Sequence, residues 1–274
     1  MPAPITIAPT WQFDDDVSPG EFPEGTARDG YSLVLQSFEL NLDRAWDYNM
    51  FMVLAYRPAM MERGWRLLAA GSQLTGVPGR VVHLWHRGEP LRTPGAYSRA
   101  SLAKQLADFT VREEVMVLRP TGYDTRRRFV DPSAPETPRP SDGVGPRGGS
   151  RVYLIDRIRV QPSRMTAFVE AKRALMFPLL AQPSPGRTSP WTLMGSGWAR
   201  GAGAPLAVNV WELPDCDALL NTMRRVSENT TYQRFVRGCL EDGGEDQDLL
   251  APMDFYEPDF ARVGIADPEM VYRG

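Results

Sequence analysis

Two histidines lie close together in the segment VVHLWHR, residues 81–87, and the 274-residue chain has no others. An imidazole with a pKa of about 6.5 exchanges protons near neutral pH, which makes His83 the best candidate for a general base. A buried neutral histidine that only hydrogen-bonds a neighbour would show the same pattern, so both interpretations stay open. His86 is expected to be structural or to lie at the surface near the end of the strand.

A second segment, AVNVWEL at residues 207–213, repeats this pattern with Asn209 at the position of His83. A base in one segment and an amide donor in the other could together hold one carbonyl or phenol oxygen. Arg157 and Tyr153 alternate with apolar residues on a predicted strand, so both are candidates for the same pocket. Arg157 could equally lie at an exposed edge of the sheet.

Tryptophans accompany these segments, and large aromatic rings either fill a core or line a slot for a flat ligand. The three predicted to line such a slot are Trp85, Trp198 and Trp211. Trp65 and Trp191 lie at the starts of predicted strands, and we expect them to fill the core.

Several other kinds of chemistry lose their usual support. The sequence has no P-loop, no GxGxxG between a strand and a helix, no HExxH and no GxSxG, which argues against nucleotide-dependent, zinc-dependent and α/β-hydrolase mechanisms. Two histidines and two cysteines make a zinc site close to impossible. A net charge of −3 gives no field for nucleic acid and little for an anionic membrane. We therefore predict no metal, no cofactor, no nucleic-acid partner and no membrane partner.

The N-terminal sequence and the cysteines favour a cytoplasmic protein. The first thirty residues contain three consecutive aspartates and scattered prolines but no apolar run, so they predict neither a signal peptide nor a spanning helix. The two cysteines form no CxxC pair and are expected to be reduced core thiols.

An internal repeat organises the chain. WRLLAAG and VVHLWHR, within residues 65–87, match WTLMGSG and AVNVWEL, within residues 191–213, at an offset of 126 residues. Upstream, LVLQSFEL from Leu33 matches YLIDRIRV from Tyr153 at an offset of 120 residues. Matches in the same order along the chain indicate a duplication.

The repeat divides the chain into two units. Each unit is predicted to end on a short apolar run, a charge and a proline, which are VLRP in the first and FYEP, ending at Pro258, in the second. The stretch between them is too rich in Pro, Gly and charge to bury a face. The predicted organisation is an irregular arm (1–30), a first unit (31–119), a linker (120–150), a second unit (151–258) and a C-terminal tail (259–274).

Within each unit the spacing of apolar residues predicts a strand, a helix, a hairpin, a second helix and a final strand. This βαββαβ order is the ferredoxin-like arrangement, in which two helices cover one face of a four-stranded antiparallel sheet. The predicted strands are 31–40, 67–74, 80–87 and 113–119, then 152–160, 192–200, 205–213 and 253–257. The predicted helices are 42–56, 98–110, 163–180 and 215–240, with Asp43 and Ser163 as N-caps.

Two such sheets would cover each other's bare faces. The residues of the matching strands alternate between two sets. The aliphatic set is Val82, Leu84, Val208 and Val210. The mixed set is His83, Trp85, Asn209 and Trp211. We expect the aliphatic set to pack under the helices and the mixed set to share one cavity between the sheets.

Four segments carry a resemblance to a known family: FPLL (residues 177–180), WTLMGSG, VVHLWHR and AVNVWEL. On these segments the chain resembles a tandem, fused member of the dimeric α+β barrel superfamily and is most similar to NIPSNAP-like proteins. The resemblance implies an α+β fold in which two ferredoxin-like units pack sheet to sheet around a pocket. Members of the superfamily include cofactor-independent monooxygenases of aromatic polyketide pathways, isomerases and lactonizing enzymes, aldoxime dehydratases, and haem enzymes such as chlorite dismutases.

The resemblance implies an enzyme of aromatic polyketide or similar natural-product tailoring, most specifically a cofactor-independent oxygenase that uses O₂. In it His83 would be the base, and Asn209 and Arg157 would hold the oxyanion. The substrate-binding residues would be Trp85, Trp211, Trp198 and Tyr153.

Three alternatives stay open. A polyketide cyclase or isomerase would use the same base without oxygen. A non-catalytic NIPSNAP-like protein would only bind a ligand. A haem enzyme would need His83 or His86 as its ligand, because the second unit has no histidine, and it ranks below the other readings. The sequence also leaves open whether the barrel closes within one chain or between the chains of a homodimer.

Overall fold

The computed structural model describes residues 33–62, 65–75, 78–87, 99–121, 152–176, 191–200, 205–213 and 216–253. The predicted N-terminal arm and C-terminal tail lie outside the described residues. So do FPLL at residues 177–180 and the predicted linker after residue 121. Within the described part of the chain, no helix is long and apolar enough to cross a membrane.

Strands and helices follow the predicted order in both units. The strands are β1 (Leu33–Leu40), β2 (Trp65–Gln73), β3 (Arg80–Arg87), β4 (Thr110–Pro120), β5 (Val152–Val160), β6 (Thr192–Arg200), β7 (Pro205–Leu213) and β8 (Leu240–Pro252). The helices are α1 (Ala45–Phe51), α2 (Arg57–Glu62), α3 (Arg99–Ala107), α4 (Met165–Ala171), α5 (Cys216–Glu228) and α6 (Thr230–Arg237).

The strands close into one barrel in the order β1-β3-β2-β8-β5-β7-β6-β4, and all of these pairings are antiparallel. Each unit contributes a four-stranded ferredoxin-like sheet. The two sheets meet at a β2–β8 seam and a β4–β6 seam. The predicted α+β barrel is confirmed, and the two units of one chain close it.

The final strand of the second unit is not where the sequence predicted it. β8 ends at Pro252 and Met253 lies outside it, while residues 254–257 of the strand predicted at 253–257 lie outside the described residues. Pro252 pairs with Gly71 as Pro120 pairs with Gly197, which makes LLAP, and not FYEP, the counterpart of VLRP. The strand escaped prediction because its first part, LEDGGEDQ, is polar and contains glycines, and such residues are depleted in strands.

The first helix is capped differently and is longer than predicted. Asn41 is the N-cap, because its side chain accepts a hydrogen bond from the Asp43 backbone N–H. Pro58 does not end the helix, since a π-helical turn at Met52–Tyr56 precedes it and α2 continues to Glu62. The wide turn relieves the clash that a proline ring makes with the carbonyl four residues earlier in a regular α-helix.

The second unit repeats the π-helical turn at Lys172–Met176, again at an offset of 120 residues. The first helix of the second unit begins with a 3₁₀ turn at Pro162–Arg164. Gln161 is the N-cap of this turn, so the N-cap predicted at Ser163 is wrong. The single helix predicted at residues 215–240 is two helices, α5 and α6. Asn229 separates them, and its side chain caps the first turn of α6.

The faces of the sheets are the reverse of what the sequence predicted. The aliphatic set lies inside the barrel in a core shared by both units: Val82, Leu84, Val208 and Val210. The mixed set faces outward, so Trp85 packs with the helices of the first unit and Trp211 with those of the second. The physical reason is space. An eight-stranded barrel is just wide enough for its own side chains, and small aliphatic groups fill it better than indole rings.

Glycines let the strands approach closely around this core. A Cβ on Gly195 would lie 2.9 Å from Cδ2 of Leu84 across the barrel. Gly71 and Gly197 occupy equivalent places at the two seams. A Cβ on Gly71 would lie 2.7 Å from the Leu250 Cβ and 2.8 Å from a backbone oxygen. The barrel interior is therefore tightly packed at these glycines.

Gly71→Ala should lower the free energy of unfolding by about 1–3 kcal/mol, because the added methyl group meets the backbone of β8 and forces the seam apart. Gly238→Ala is the matched control. Gly238 has a helical φ of −68° and its Cβ would have 3.3 Å to the nearest atom, so that change should stay within about 1 kcal/mol. Urea unfolding followed by tryptophan fluorescence measures both, and equal losses would contradict the tight seam.

Candidate functional site

The side chains predicted to share one pocket lie in three different places. The space between the first sheet and its helices holds His83 and Trp85. The space between the second sheet and its helices holds Asn209, Trp198 and Trp211. The barrel interior holds Tyr153 and Arg157. The prediction of one shared cavity is wrong, because β3 and β7 lie on opposite sides of the barrel and their mixed faces point away from each other.

His83 forms a buried pair with Tyr48 of α1. The Tyr48 hydroxyl oxygen and Nε2 of His83 are 3.1 Å apart, and neither side chain has exposed surface. Phe38 stands edge-on to the imidazole with 5.3 Å between ring centroids, and Trp85 does so at 5.9 Å. Aromatic rings therefore enclose a polar pair, and in such a low-dielectric setting hydrogen bonds and charges interact more strongly than in water.

A neighbouring set of hydrogen bonds is centred on Gln36. Its amide nitrogen lies 3.0 Å from the Tyr56 hydroxyl and 2.6 Å from the Glu113 carboxylate. Its oxygen accepts a hydrogen bond from Nε1 of Trp85 at 3.0 Å. Tyr56 reaches this position from the π-helical turn. Gln36 thereby holds the indole that packs against His83.

Burial keeps the Tyr48–His83 pair neutral. Desolvation lowers the pKa of His83 to about 3, so its imidazole is uncharged near pH 7. Burial also raises the pKa of Tyr48 well above its usual value, and the nearby Tyr56 and Glu113 raise it further. The Tyr48 hydroxyl is therefore protonated and can donate to the imidazole. His83 becomes an effective base only where a partner stabilises its cationic form.

The second unit contains a related cluster with different chemistry. Asp156 occupies the place of Gln36, and Nε1 of Trp211 donates to its Oδ2 at 3.3 Å, as the indole of Trp85 donates to Gln36. Asp156 is only 2% exposed, and its Oδ1 makes no hydrogen bond within the described part of the chain. A carboxyl group thus replaces an amide at an equivalent buried site.

Asn209 stands where His83 stands in the first unit. The Ser196 hydroxyl donates to Oδ1 of Asn209 at 2.8 Å, and the Ser196 and Thr121 hydroxyls are 2.8 Å apart. With its oxygen held, Asn209 turns its amide nitrogen toward the Asp156 carboxyl and lowers the pKa of that group. An amide takes up no proton near neutral pH, so the imidazole base has no equivalent here.

Lys172 brings a positive charge into this second cluster, and its side chain is 2% exposed. Its Nζ lies 2.9 Å from Sδ of Met176 and 5.3 Å from the ring centroid of Phe168. The Tyr232 hydroxyl also donates to Sδ of Met176, at 3.0 Å. Lys172 and Met176 are the first and last residues of the π-helical turn, which buries both of them.

Two opposing effects set the protonation of Asp156. Burial raises its pKa, while the positive charge of Lys172 and the hydrogen-bond donors of Asn209 and Trp211 lower it, and the net direction is upward. Burial likewise raises the pKa of Tyr232, and Lys172 partly offsets that rise. The cluster therefore combines an acid, an ammonium group and a phenol.

Arg157 is engaged inside the barrel and does not join His83 or Asn209. Its guanidinium forms an ion pair with Asp248 and lies 3.8 Å from Asp246. Gln73 donates to the same Asp248 carboxylate at 2.5 Å. The Arg157 contacts join β5 to β8, and the Gln73 contact crosses the β2–β8 seam. The oxyanion-holding role predicted for Arg157 therefore has no geometric support.

Sequence reasoning missed several polar residues of the two clusters, among them Gln36, Tyr48, Glu113, Asp156 and Lys172. One usable signal was present. Gln36 and Asp156 are polar residues at equivalent positions of otherwise apolar strands, and the offset of 120 residues aligns them. The position of Lys172 depends on the π-helical turn, and the position of Tyr48 on which face of the sheet meets the helices. Apolar spacing shows neither.

Haem does not fit the described residues. An axial histidine must present one ring nitrogen to a space that holds a porphyrin. Nε2 of His83 instead faces Tyr48 within a ring of aromatic side chains. His86 is 1% exposed and faces the aliphatic barrel interior, so of the two positions predicted for it the surface one is wrong and the structural one stays open. Among the described residues, no group of histidine, cysteine and acidic side chains is arranged to hold a metal ion.

No family model matches this sequence, and no curated protein matches it. Solved structures are similar in fold. A protein from Fusobacterium nucleatum, described as a putative monooxygenase, superposes with a TM-score of 0.51 at 11% identity over 82% of this chain and 93% of that one. An anthrone oxidase-like protein gives 0.45 at 12% identity over 82% and 92%. A NIPSNAP family protein from Agrobacterium tumefaciens gives 0.30 at 16% identity over 39% and 89%. The chain thus has the dimeric α+β barrel fold that its sequence resembles, and identities this low show the fold alone.

The depressed pKa of His83 predicts a pH dependence of stability. Between pH 6.5 and pH 3 the unfolded chain binds a proton at this residue that the folded chain does not, so the free energy of unfolding must fall as the pH falls. Urea unfolding at pH 7 and pH 5 should show a loss about 2 kcal/mol larger in the parent than in His83→Gln, which keeps a partner for Tyr48 but does not titrate. Equal losses would show that His83 is protonated in the folded protein.

Proposed function

We propose that this chain is a small-molecule enzyme, most specifically a cofactor-independent oxygenase of phenolic or anthrone-type substrates, with His83 as its base. The barrel fold, shared with the Fusobacterium nucleatum protein, supports the general class. The specific proposal rests on one observation, which is the buried hydrogen bond between the neutral His83 imidazole and the Tyr48 phenol.

The Tyr48–His83 pair supports a phenolic substrate. Tyr48 is itself a phenol, held by an imidazole nitrogen among Phe38 and Trp85. A substrate phenol or enol that displaces the Tyr48 hydroxyl from Nε2 of His83 would meet the same acceptor and the same aromatic walls. An aromatic polyketide, which carries such hydroxyls on fused rings, is the substrate class that we propose.

The low pKa of His83 is compatible with a base. Proton transfer from a substrate hydroxyl converts a neutral pair into an imidazolium and an oxyanion. Each charge stabilises the other strongly in a water-poor site, which offsets much of the solvation that burial removes. The Tyr48 hydroxyl is the donor that we propose for the oxyanion, in place of Asn209 and Arg157, which lie elsewhere.

The resulting anion is the reductant for O₂. It gives one electron to O₂, and the substrate radical and superoxide then combine as a carbon-bound peroxide, which takes up a proton to become the hydroperoxide. At an anthrone-type CH₂, loss of water from the hydroperoxide leaves a carbonyl, so one oxygen atom stays in the product and the other leaves as water. His83 can return its proton in this step.

A cyclase or isomerase remains the second candidate, because the same base would remove a proton without any need for O₂. A non-catalytic NIPSNAP-like binding protein is the third. Turnover under nitrogen would favour the cyclase or isomerase. Binding without turnover would favour the binding protein.

Oxygen uptake with anthrone, in the presence of a metal chelator, tests the proposal. His83→Gln should lower turnover roughly 10²- to 10⁴-fold, the usual range for a lost acid or base. Tyr48→Phe should lower it roughly 10- to 100-fold, because it removes one donor to the oxyanion and keeps the ring.

His86→Gln is the matched control, since it changes the other histidine, which lies on the opposite face of β3. Its turnover should equal that of the parent once near-ultraviolet circular dichroism shows that all variants are folded. Unchanged turnover in His83→Gln, or equal losses in both histidine variants, would contradict the assigned base.

A further inference from the structure

Three exposed apolar side chains lie at one end of the first unit. Trp46 of α1 is 74% exposed and Val111 of β4 is 75% exposed, the highest values among the large apolar residues that the structure describes. Leu42, one helical turn before Trp46, is 61% exposed. The Asn41 backbone N–H donates to the Phe109 carbonyl at 2.9 Å, which brings the start of this helix beside the start of β4. We call Leu42, Trp46 and Val111 the apolar patch.

The fold does not require the apolar patch, because the second unit has polar residues at equivalent positions. Thr166 of α4 occupies the position of Trp46, at the offset of 120 residues, and is exposed as well. Glu241 occupies the position of Val111, because β8 and β4 begin in the same register beside the first strand of their unit. Exposed apolar side chains that cluster on one surface mark an interaction site. The apolar patch therefore indicates a partner.

The charges around the apolar patch are balanced. Nε of Arg44 and Oδ2 of Asp47 form an ion pair at 2.7 Å, and their side chains are 44% and 53% exposed. The charged residues that adjoin the patch in the sequence are two acids and two arginines: Asp43, Asp47, Arg44 and Arg112.

This balance favours one kind of partner. An anionic membrane would favour an excess of Lys and Arg beside the exposed apolar residues, and no such excess adjoins this patch. In a two-fold contact between identical surfaces, each charge must instead meet its opposite on the other copy, so both signs are needed in equal number. The apolar patch meets that condition.

We propose that the apolar patch is a contact surface for a second copy of this chain. Trp46 packs near the two-fold axis, and Arg44 of one copy faces the partner's Asp47. A patch of this size makes a small interface, below about 1,200 Å² of buried surface, so the dimer should be weak and concentration-dependent. One chain already closes the barrel by itself, so this contact joins two complete barrels. It does not rest on the proposed oxygenase activity.

Sedimentation velocity of the full chain between about 1 and about 100 μM tests this contact. The parent should shift from monomer toward dimer over this range. Trp46→Thr, which introduces the residue that the second unit has at this position, should weaken dimerisation at least about tenfold, because buried tryptophans are typical hot spots of interfaces. Phe235→Gln is the matched control, at an aromatic residue of α6 that is 52% exposed, and it should dimerise like the parent.

Opposite charge reversals test whether the partner is a second copy. Arg44→Asp sets acid against acid across the axis, and Asp47→Arg sets arginine against arginine, so each variant alone should dimerise at least about tenfold more weakly than the parent. An equimolar mixture of the two variants should recover association as a heterodimer, because each reversed charge then faces its opposite. A fluorophore on one variant makes the heterodimer visible in the same experiment.

The proposal is overturned if the parent stays monomeric up to about 100 μM. A monomeric parent that sediments with phosphatidylserine vesicles, in a manner that Trp46→Thr abolishes, would identify a membrane as the partner instead. Association that Trp46→Thr leaves unchanged, or that Phe235→Gln weakens equally, would place the contact elsewhere. Failure of the mixed charge variants to associate would exclude the two-fold contact. Near-ultraviolet circular dichroism of every variant verifies that it is folded.

Discussion

The width of the closed barrel is the constraint on which the rest of the structure depends. Eight strands enclose a space that their own small side chains fill, and the glycines at its seams show how closely the strands approach. Leu84 and Val208 occupy that space, so the bulky and polar residues of the same strands must point outward. The helices then cover them, and each unit gains a buried polar cluster between its sheet and its helices.

The two clusters occupy equivalent places in the two units, so they can be compared residue by residue within one molecule. Both keep an indole that donates to a side chain on the first strand of the unit, Trp85 to Gln36 and Trp211 to Asp156. Both also keep a π-helical turn at the same position. The shared hydrogen bond and turn preserve the architecture, while the groups around them have diverged. One unit presents a neutral imidazole, and the other presents a carboxyl and an ammonium group.

Local pattern was enough to predict the repeat, the order of the elements and the barrel. It failed for the faces of the strands, because alternation separates Val82 from His83 but does not say which one lies inward. That choice depends on the volume inside a closed barrel, which is a property of all eight strands together. Pattern also failed for β8, whose first residues are polar. It failed for Lys172 as well, which a helix buries near the Asp156 carboxyl of β5, the strand that precedes it.

The central claim is that ligands bind between a sheet and its helices and not inside the barrel. A crystal structure of the protein soaked with 4-bromophenol tests it most directly, because the anomalous signal of bromine locates the ligand without ambiguity. The account predicts bromine outside the barrel, with the phenol hydroxyl in hydrogen-bonding reach of His83. Bromine inside the barrel, among Leu84 and Val208, would contradict it.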